Sequence, residues 1–287
     1  MAHKTLFQNR PDRITQLLAA LRSRNLQKAK VSTLKKELMK LMDGFLCSPK
    51  YIDAQSVYRI RPNDNDNDDL FKDVSQLWYR NPNTVTRRGR ANDKNSSAFY
   101  CSDSVETAVV EMKSSVGDIL TVLKSNLINS QQLPLVMPLG IYQHTAKHNP
   151  NIGGESLGDE LRRRNIFSSP SDLKKNLRID AFLAEQFTKY VESGKEYEYK
   201  ITIVLSEWFL NRGTVDGITV DGISYPSIAG DSMGVNIALT TKAVDKLYRP
   251  AECWKYKVTD KVGKNKYQVS RVCTAKSIDA NGFIFWS

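Results

Sequence analysis

Phe99-Tyr100-Cys101-Ser102-Asp103-Ser104-Val105-Glu106-Thr107-Ala108-Val109-Val110-Glu111 is the stretch on which the reading of this chain turns. Residues 98–101 read as a short strand. Asp103 follows as the cap of a helix running to about Lys113, because an acceptor at that position satisfies an orphan amide of the first turn. On that helix Val105, Ala108, Val109 and Met112 make the apolar stripe, and Glu106 and Glu111 fall at its opposite borders. Glu106 lies in the first turn, where a carboxylate complements the helix dipole, so a structural reason accounts for it. Glu111 lies in the last turn, where negative charge is mildly unfavourable. A border glutamate without a local structural reason is a candidate for a cleft.

Around this strand-to-helix unit, helices and strands do not alternate regularly. Ile14, Leu17, Leu18 and Leu21 are spaced i, i+3, i+4, i+7 within residues 11–24. Leu34, Leu38, Leu41, Met42 and Phe45 stripe a second helix over residues 33–46, and the two read as a helical hairpin. Strands follow at 56–60, 119–123 and 135–142, then a long amphipathic helix at 171–192 with Leu183, Phe187, Tyr190 and Val191 on one face. The apolar run 201–210 fits a buried helix or a strand by periodicity; helix is the expectation. Strands at 222–225, 235–239, 254–258 and 266–273 close the chain, with a short helix at 243–247. Such an order predicts an α+β fold rather than a doubly wound one. The expected division is a basic N-terminal helical region, 1–50, and a main domain, 51–287.

The chain has 287 residues, 40% hydrophobic and 25% charged, which is enough to bury a full core. Its longest mainly apolar stretches are about half of what a bilayer crossing needs, and the N-terminus has no apolar signal core. A soluble, cytoplasmic protein with no membrane partner is expected. Cys47, Cys101, Cys253 and Cys273 are far apart and form no C-x-x-C pair, so reduced thiols are expected rather than a disulfide framework or a structural zinc. The formal charge of +11 is concentrated at the N-terminus, where eleven Lys/Arg and three Asp/Glu within residues 1–50 give +8. That basic arm suits RNA, an acidic partner or a protein surface, but no aromatic residues interleave with its cations as stacking on nucleic acid would require.

The usual catalytic templates are missing. There is no G-x-x-x-x-G-K-[ST], G-x-G-x-x-G, H-E-x-x-H or G-x-S-x-G. His3, His144 and His148 are the only histidines, too few for a His-based triad or a His-rich metal site. The acidic run 62–69 resembles a calcium loop only superficially, since Asp69 and Ser75 stand where Gly and Glu are required. It reads as a mobile surface loop.

Three polar islands in strand-like context remain. In Val57-Tyr58-Arg59-Ile60-Arg61, Arg59 and Arg61 share a face, which calls for an anionic ligand or an edge-strand ion pair. The second island is Arg87-Arg88-Gly89-Arg90-Ala91-Asn92 with the strand and helix quoted above. In the third, Asp221–Ile228 followed by Gly234–Leu239, Pro226 ends or bends a strand and presents Ser227 in a turn. Ser227 has no sequence-local base, so it reads as a positioning hydroxyl.

Taken in order, the islands resemble the RES-domain toxins, named for an Arg, a Glu and a Ser. The matching pieces are Tyr58-Arg59; Gly89-Arg90-Ala91-Asn92, Phe99-Tyr100 and Thr107-Ala108-Val109-Val110-Glu111; and Tyr225-Pro226-Ser227 with Asn236-Ile237-Ala238-Leu239. The resemblance covers about residues 56–258. It implies an ADP-ribosyltransferase-like fold with a split β-sheet core that binds NAD+ as substrate and cleaves its nicotinamide–ribose bond. It further implies that Arg59 and Arg90 hold the pyrophosphate or ribose, Tyr100 lines the nicotinamide pocket, Glu111 is the catalytic carboxylate and Ser227 positions the substrate. Tyr58 and Asn236 join the NAD+-binding set. A protein antitoxin is the partner the resemblance brings with it; assembly into a homo-oligomer is left open.

That chemistry suits the residue types, because breaking an N-glycosidic bond to an already cationic leaving group needs little acid catalysis. One carboxylate stabilises the oxocarbenium-like transition state, arginine forks match phosphates, and no metal is required. Three readings are therefore carried forward. They are an NAD+-depleting hydrolase or phosphorylase, an ADP-ribosyltransferase acting on a macromolecule, and a non-catalytic binding protein working through its basic arm.

Overall fold

The computed structural model describes residues 11–63, 70–142, 170–211, 219–227, 234–263 and 266–287. The acidic run beyond Asn63, His3, His144, His148 and the polar insertion before Pro170 lie outside the described residues. Helix α1 (Pro11–Arg22) and helix α2 (Val31–Met42) form the expected N-terminal hairpin. Strands β1 (Lys50–Tyr51), β2 (Ser56–Pro62) and β3 (Phe99–Ser102) follow, then α3 (Val105–Met112), β4 (Ile119–Leu127) and β5 (Leu135–Pro138). Next come α4 (Pro170–Thr188), α5 (Lys200–Asn211), β6 (Gly222–Pro226), β7 (Val235–Leu239) and α6 (Thr241–Leu247). The long strands β8 (Tyr248–Gly263) and β9 (Lys266–Ile278), with β10 (Ile284–Trp286), complete the chain. The fold is α+β, as the irregular order of elements predicts.

The ten described strands make one sheet in the order β1-β5-β6-β7-β3-β2-β4-β8-β9-β10. Its two halves meet weakly: β3 pairs with β7 over four residues and β2 with β4 over seven, but β2 and β3 pair at Tyr58↔Ser102 alone. The sheet is therefore split between β2 and β3, and a backbone carbonyl facing the gap must find another donor.

Helices cover one half of the sheet. Ile14, Leu18, Leu34, Leu38 and Leu41 of the hairpin, Phe182, Leu183 and Phe187 of α4 and Ile201, Val204 and Leu205 of α5 pack with Met137, Ile223 and Tyr225 of the strands in one cluster. α3 closes over the other half, where Ala108 and Val109 meet Ile60, Leu120, Val122 and Trp254. The 201–210 run is a helix because its neighbours are helices and a β6 strand face that its all-round apolar surface can cover.

Several boundaries differ from the sequence reading. α4 stops at Thr188, so Tyr190 lies outside the helix face assigned to it and is 60% exposed. α2 ends before Phe45, which still packs on the helical cluster, and β5 ends at Pro138. β8 and β9 are far longer than 254–258 and 266–273, because they pair with each other out to Gly263↔Lys266. The four cysteines are free thiols, and no described helix is long and apolar enough to cross a membrane.

Candidate active site

Glu111, in the last turn of α3, accepts a hydrogen bond at Oε1 from Ser227 Oγ at 2.7 Å. The base that Ser227 lacks in its own neighbourhood of sequence comes from a helix 116 residues earlier. α3 is placed by its cap: Ser104, not Asp103, accepts from the Thr107 amide, at 3.2 Å. Asp103 sits one residue too early and instead exchanges hydrogen bonds with Val235 of β7, its Oδ2 accepting from the Val235 amide. Burial pushes the Asp103 carboxyl above its ordinary range.

The Ser227 side is fixed just as closely. The Ser227 amide donates to the Gly234 carbonyl at 3.1 Å, so the chain leaving β6 is tied to the chain entering β7. Gly234 presses on α3: a Cβ there would meet Thr107 Oγ1 at 1.9 Å. A side chain at 234 would drive the β6–β7 end away from the helix that carries Glu111.

Glu111 stands at the split in the sheet, with Ser227 behind it at the end of β6. A cleft of ≈310 Å³ opens there, lined by Tyr58, Arg59, Arg90, Tyr100, Glu111, Tyr199, Tyr225 and Asn236 among others. Tyr58, Arg59, Arg90, Tyr100, Glu111 and Asn236 of the sequence-derived set thus share one cleft. Ser227 reaches it through Glu111 and is itself fully buried.

Arg59 fills the gap in the sheet. Its Nη1 donates to the Tyr100 carbonyl and its Nε to the Leu77 carbonyl, both at 2.7 Å, and its guanidinium stacks over Phe99 at 5.2 Å. Burial, with the charge of Arg61 beside it, brings the guanidinium down to about 9, so it remains a cation at neutral pH. One of these donors joins β2 to β3 across the gap, and the other anchors the turn at Leu77 to β2. Arg61, on the same face, donates to the Trp78 carbonyl at 3.0 Å.

Arg90 is differently placed. Its guanidinium lies over the Tyr199 ring at 5.3 Å, the residue is 7% exposed, and Nη1 has no acceptor among the described residues. A buried cation with an unsatisfied donor beside a cleft is the arrangement an anionic ligand completes. Asn236 Nδ2 is unsatisfied in the same way, while its Oδ1 accepts from Ser102 Oγ at 2.9 Å.

The loop that delivers Arg90 is folded on Tyr100. The Tyr100 hydroxyl donates to Asn92 Oδ1 and accepts from the Ala91 amide, each at 2.7 Å. Gly89 closes the turn, its amide donating to the Asn92 carbonyl, and a Cβ on it would lie 2.5 Å from Asn92 Oδ1 and 2.7 Å from the Tyr100 hydroxyl. Burial raises Tyr100 well above the ordinary phenol range, so it stays neutral and can act as donor and acceptor at once.

Tyr199 was not among the sequence candidates. It precedes α5 in Glu196-Tyr197-Glu198-Tyr199, a turn whose only signal is an aromatic residue at the mouth of an apolar helix. Tyr225, quoted with Pro226 and Ser227 but given no role, also lines the cleft, its ring 5.1 Å from Phe187. Among the described residues no group of three or more His, Cys, Asp and Glu is placed to hold a metal ion.

The sequence that builds this arginine-bounded cleft matches a family model in comparison with known proteins. The RES domain model covers residues 56–259, more than half of the chain, and the protein belongs to the RES-domain family. That family is associated with NAD+-related toxin function. A comparison with curated proteins finds no match.

Proposed function

We propose that the protein cleaves the nicotinamide–ribose bond of NAD+ by hydrolysis or phosphorolysis, with Glu111 as the catalytic carboxylate. The observation that carries this reading is the Ser227–Glu111 hydrogen bond in a cleft that also holds the unsatisfied Arg90 guanidinium. The C1′–N bond breaks with its electron pair going to the nicotinamide nitrogen, which was cationic and leaves neutral. Positive charge then develops on the ribose ring, and Glu111 stabilises it. Water or inorganic phosphate adds at C1′ and loses a proton to solvent.

Ser227 donates to Glu111 and so holds one carboxylate oxygen in place while the other faces the sugar. Arg90 and Asn236 supply donors for phosphate or ribose oxygens, and Tyr100 and Tyr199 form apolar walls suited to a planar ring. Arg59 contributes positive potential and ties β2 to the Tyr100 carbonyl of β3 across the split. On this reading the protein acts as a cytoplasmic toxin that depletes NAD+, and its cognate inhibitor is a protein.

The test is product analysis: NAD+ with the purified chain, with and without inorganic phosphate, beside Glu111→Gln. Glu111-dependent nicotinamide release with ADP-ribose as co-product identifies hydrolysis, and ADP-ribose 1″-phosphate identifies phosphorolysis. Label retained on a macromolecule would replace this reading with ADP-ribosyl transfer. No release from folded protein under any of these conditions would overturn it.

A further inference from the structure

A second cavity, of ≈560 Å³, lies on the other side of α3. The helix presents Ala108, Glu111 and Met112 to the cleft described above, and Val105, Glu106, Val109 and Val110 to this cavity. The opposite wall is aromatic. Trp254 packs edge-on against Tyr58 and Tyr256, each with ring centroids 6.4 Å apart, and Tyr267 adds a further ring. Trp254 is 5% exposed, and its indole N–H has no acceptor among the described residues.

The charged groups at this cavity are unequal. Lys124, Lys266 and Arg271 are its basic side chains, and Glu106 is the single carboxylate among the described residues that line it. Lys124 is neutralised by Glu252 at 2.6 Å. The Arg271 guanidinium is stacked 5.2 Å from the Trp254 ring and 5.7 Å from Tyr256, which holds it beside the aromatic wall. Val262, 52% exposed, leaves an apolar edge open on the same hairpin.

Val262, Lys266, Tyr267, Val269 and Arg271 all lie beyond residue 259, where the family match ends. The cavity is thus made by the β8–β9 extension leaning on α3, not by the matched core alone. Its apolar walls exclude a ligand that is polar throughout, because buried donors and acceptors would go unpaired there. Its cations and stacked arginine select negative charge held next to a ring.

We propose that this cavity is a binding site for a small planar aromatic anion, with the ring against Trp254, Tyr267 and the valines and the anionic group facing Lys266 and Arg271. The site is separate from the cleft that contains Glu111, although Tyr58 borders both.

The probe is 8-anilinonaphthalene-1-sulfonate, an aromatic body with one sulfonate, titrated by fluorescence into the intact chain. N-phenyl-1-naphthylamine, its uncharged counterpart, runs in parallel. Saturation at one site per chain is expected, with the neutral compound at least about tenfold weaker, since a charge-assisted hydrogen bond contributes that much or more. Lys266→Glu and Val262→Glu, both at exposed positions, should each weaken the sulfonate about tenfold or more with circular dichroism and Tm unchanged. Saturating NAD+, added to the Glu111→Gln chain so that it persists, should leave the bound probe in place. Non-saturable binding, equal affinity for the two probes, or affinity unchanged in both variants would each overturn the site. Displacement by NAD+ would assign the cavity to the catalytic cleft and overturn its independence.

Discussion

Ser227 and Glu111 lie far apart in sequence and meet at 2.7 Å, which makes them the residues whose removal is most informative. Glu111→Gln keeps the size of the side chain and removes its charge. Nicotinamide release should fall by at least about 100-fold, the usual effect of losing a group that stabilises transition-state charge, with the fold intact by circular dichroism. Gly89→Ala tests the loop that carries Arg90. Its Cβ would crowd Asn92 Oδ1 and the Tyr100 hydroxyl, both held in place by 2.7 Å hydrogen bonds. Overpacking of this kind costs about 1–3 kcal/mol, and a lowered Tm together with a raised KM for NAD+ is expected.

The pH dependence follows from Arg59, whose guanidinium burial and Arg61 bring down to about 9. As pH rises through about 9 the cleft loses a cation, so KM for NAD+ should rise there, measured from initial rates between pH 7 and 10. Stability changes in the opposite sense. The folded chain releases this proton at lower pH than the unfolded chain, so the unfolded state binds more protons above about pH 9, and this group's contribution to stability grows with pH in that window.

At the scale of elements, the split between β2 and β3 is what turns three separate islands into one site. β3 lies between β7 and β2, so Tyr100, Asn236 and Arg59 come together across three adjacent strands, and α3 and the β6–β7 end close over them. Arg59→Met would leave the Tyr100 and Leu77 carbonyls without their donors in a buried place. A loss of roughly 2–4 kcal/mol in urea unfolding is expected, more than a residue that only touched ligand would show.

The individual elements were legible because their causes are local. The apolar spacing of α1, α2 and α3, and the alternation in β2, are properties of neighbouring residues. What could not be read locally was set by partners elsewhere. Ser104 displaces Asp103 as cap because Asp103 is held by Val235 of β7, a strand 132 residues further on. β8 and β9 outrun their hydrophobic pattern because each strand pairs with the other, and Tyr199 enters the cleft only through the packing of α5. The grouping of Arg59, Arg90, Glu111 and Ser227 was expected from the ordered islands through family resemblance; no spacing in the chain encodes the strand order that assembles it.

For the whole molecule, the N-terminal hairpin does more than present charge. Ile14, Leu18, Leu21, Leu34, Leu38 and Leu41 are at most 2% exposed and share a cluster with α4, α5 and β6. Lys200 of α5 donates from Nζ to the carbonyls of Leu26, Gln27 and Ala29 in the turn between α1 and α2, at 2.7, 3.2 and 2.8 Å. Full burial of a leucine is worth about 1.5–3 kcal/mol, so six such residues represent roughly the whole net stability of a domain. Deleting residues 1–50 should therefore leave a chain that aggregates or lacks cooperative thermal unfolding, measured by calorimetry. A soluble, cooperatively folding 51–287 fragment would show that the hairpin is a separate arm.

The most direct measurement is a double-mutant cycle on nicotinamide release from NAD+, comparing the wild-type chain, Glu111→Gln, Ser227→Ala and the double variant. A serine that acts through the carboxylate predicts about a tenfold loss for Ser227→Ala alone and a double variant no worse than Glu111→Gln. Fully additive losses would contradict that pairing, and wild-type rates in Glu111→Gln would contradict the assignment of the catalytic carboxylate itself.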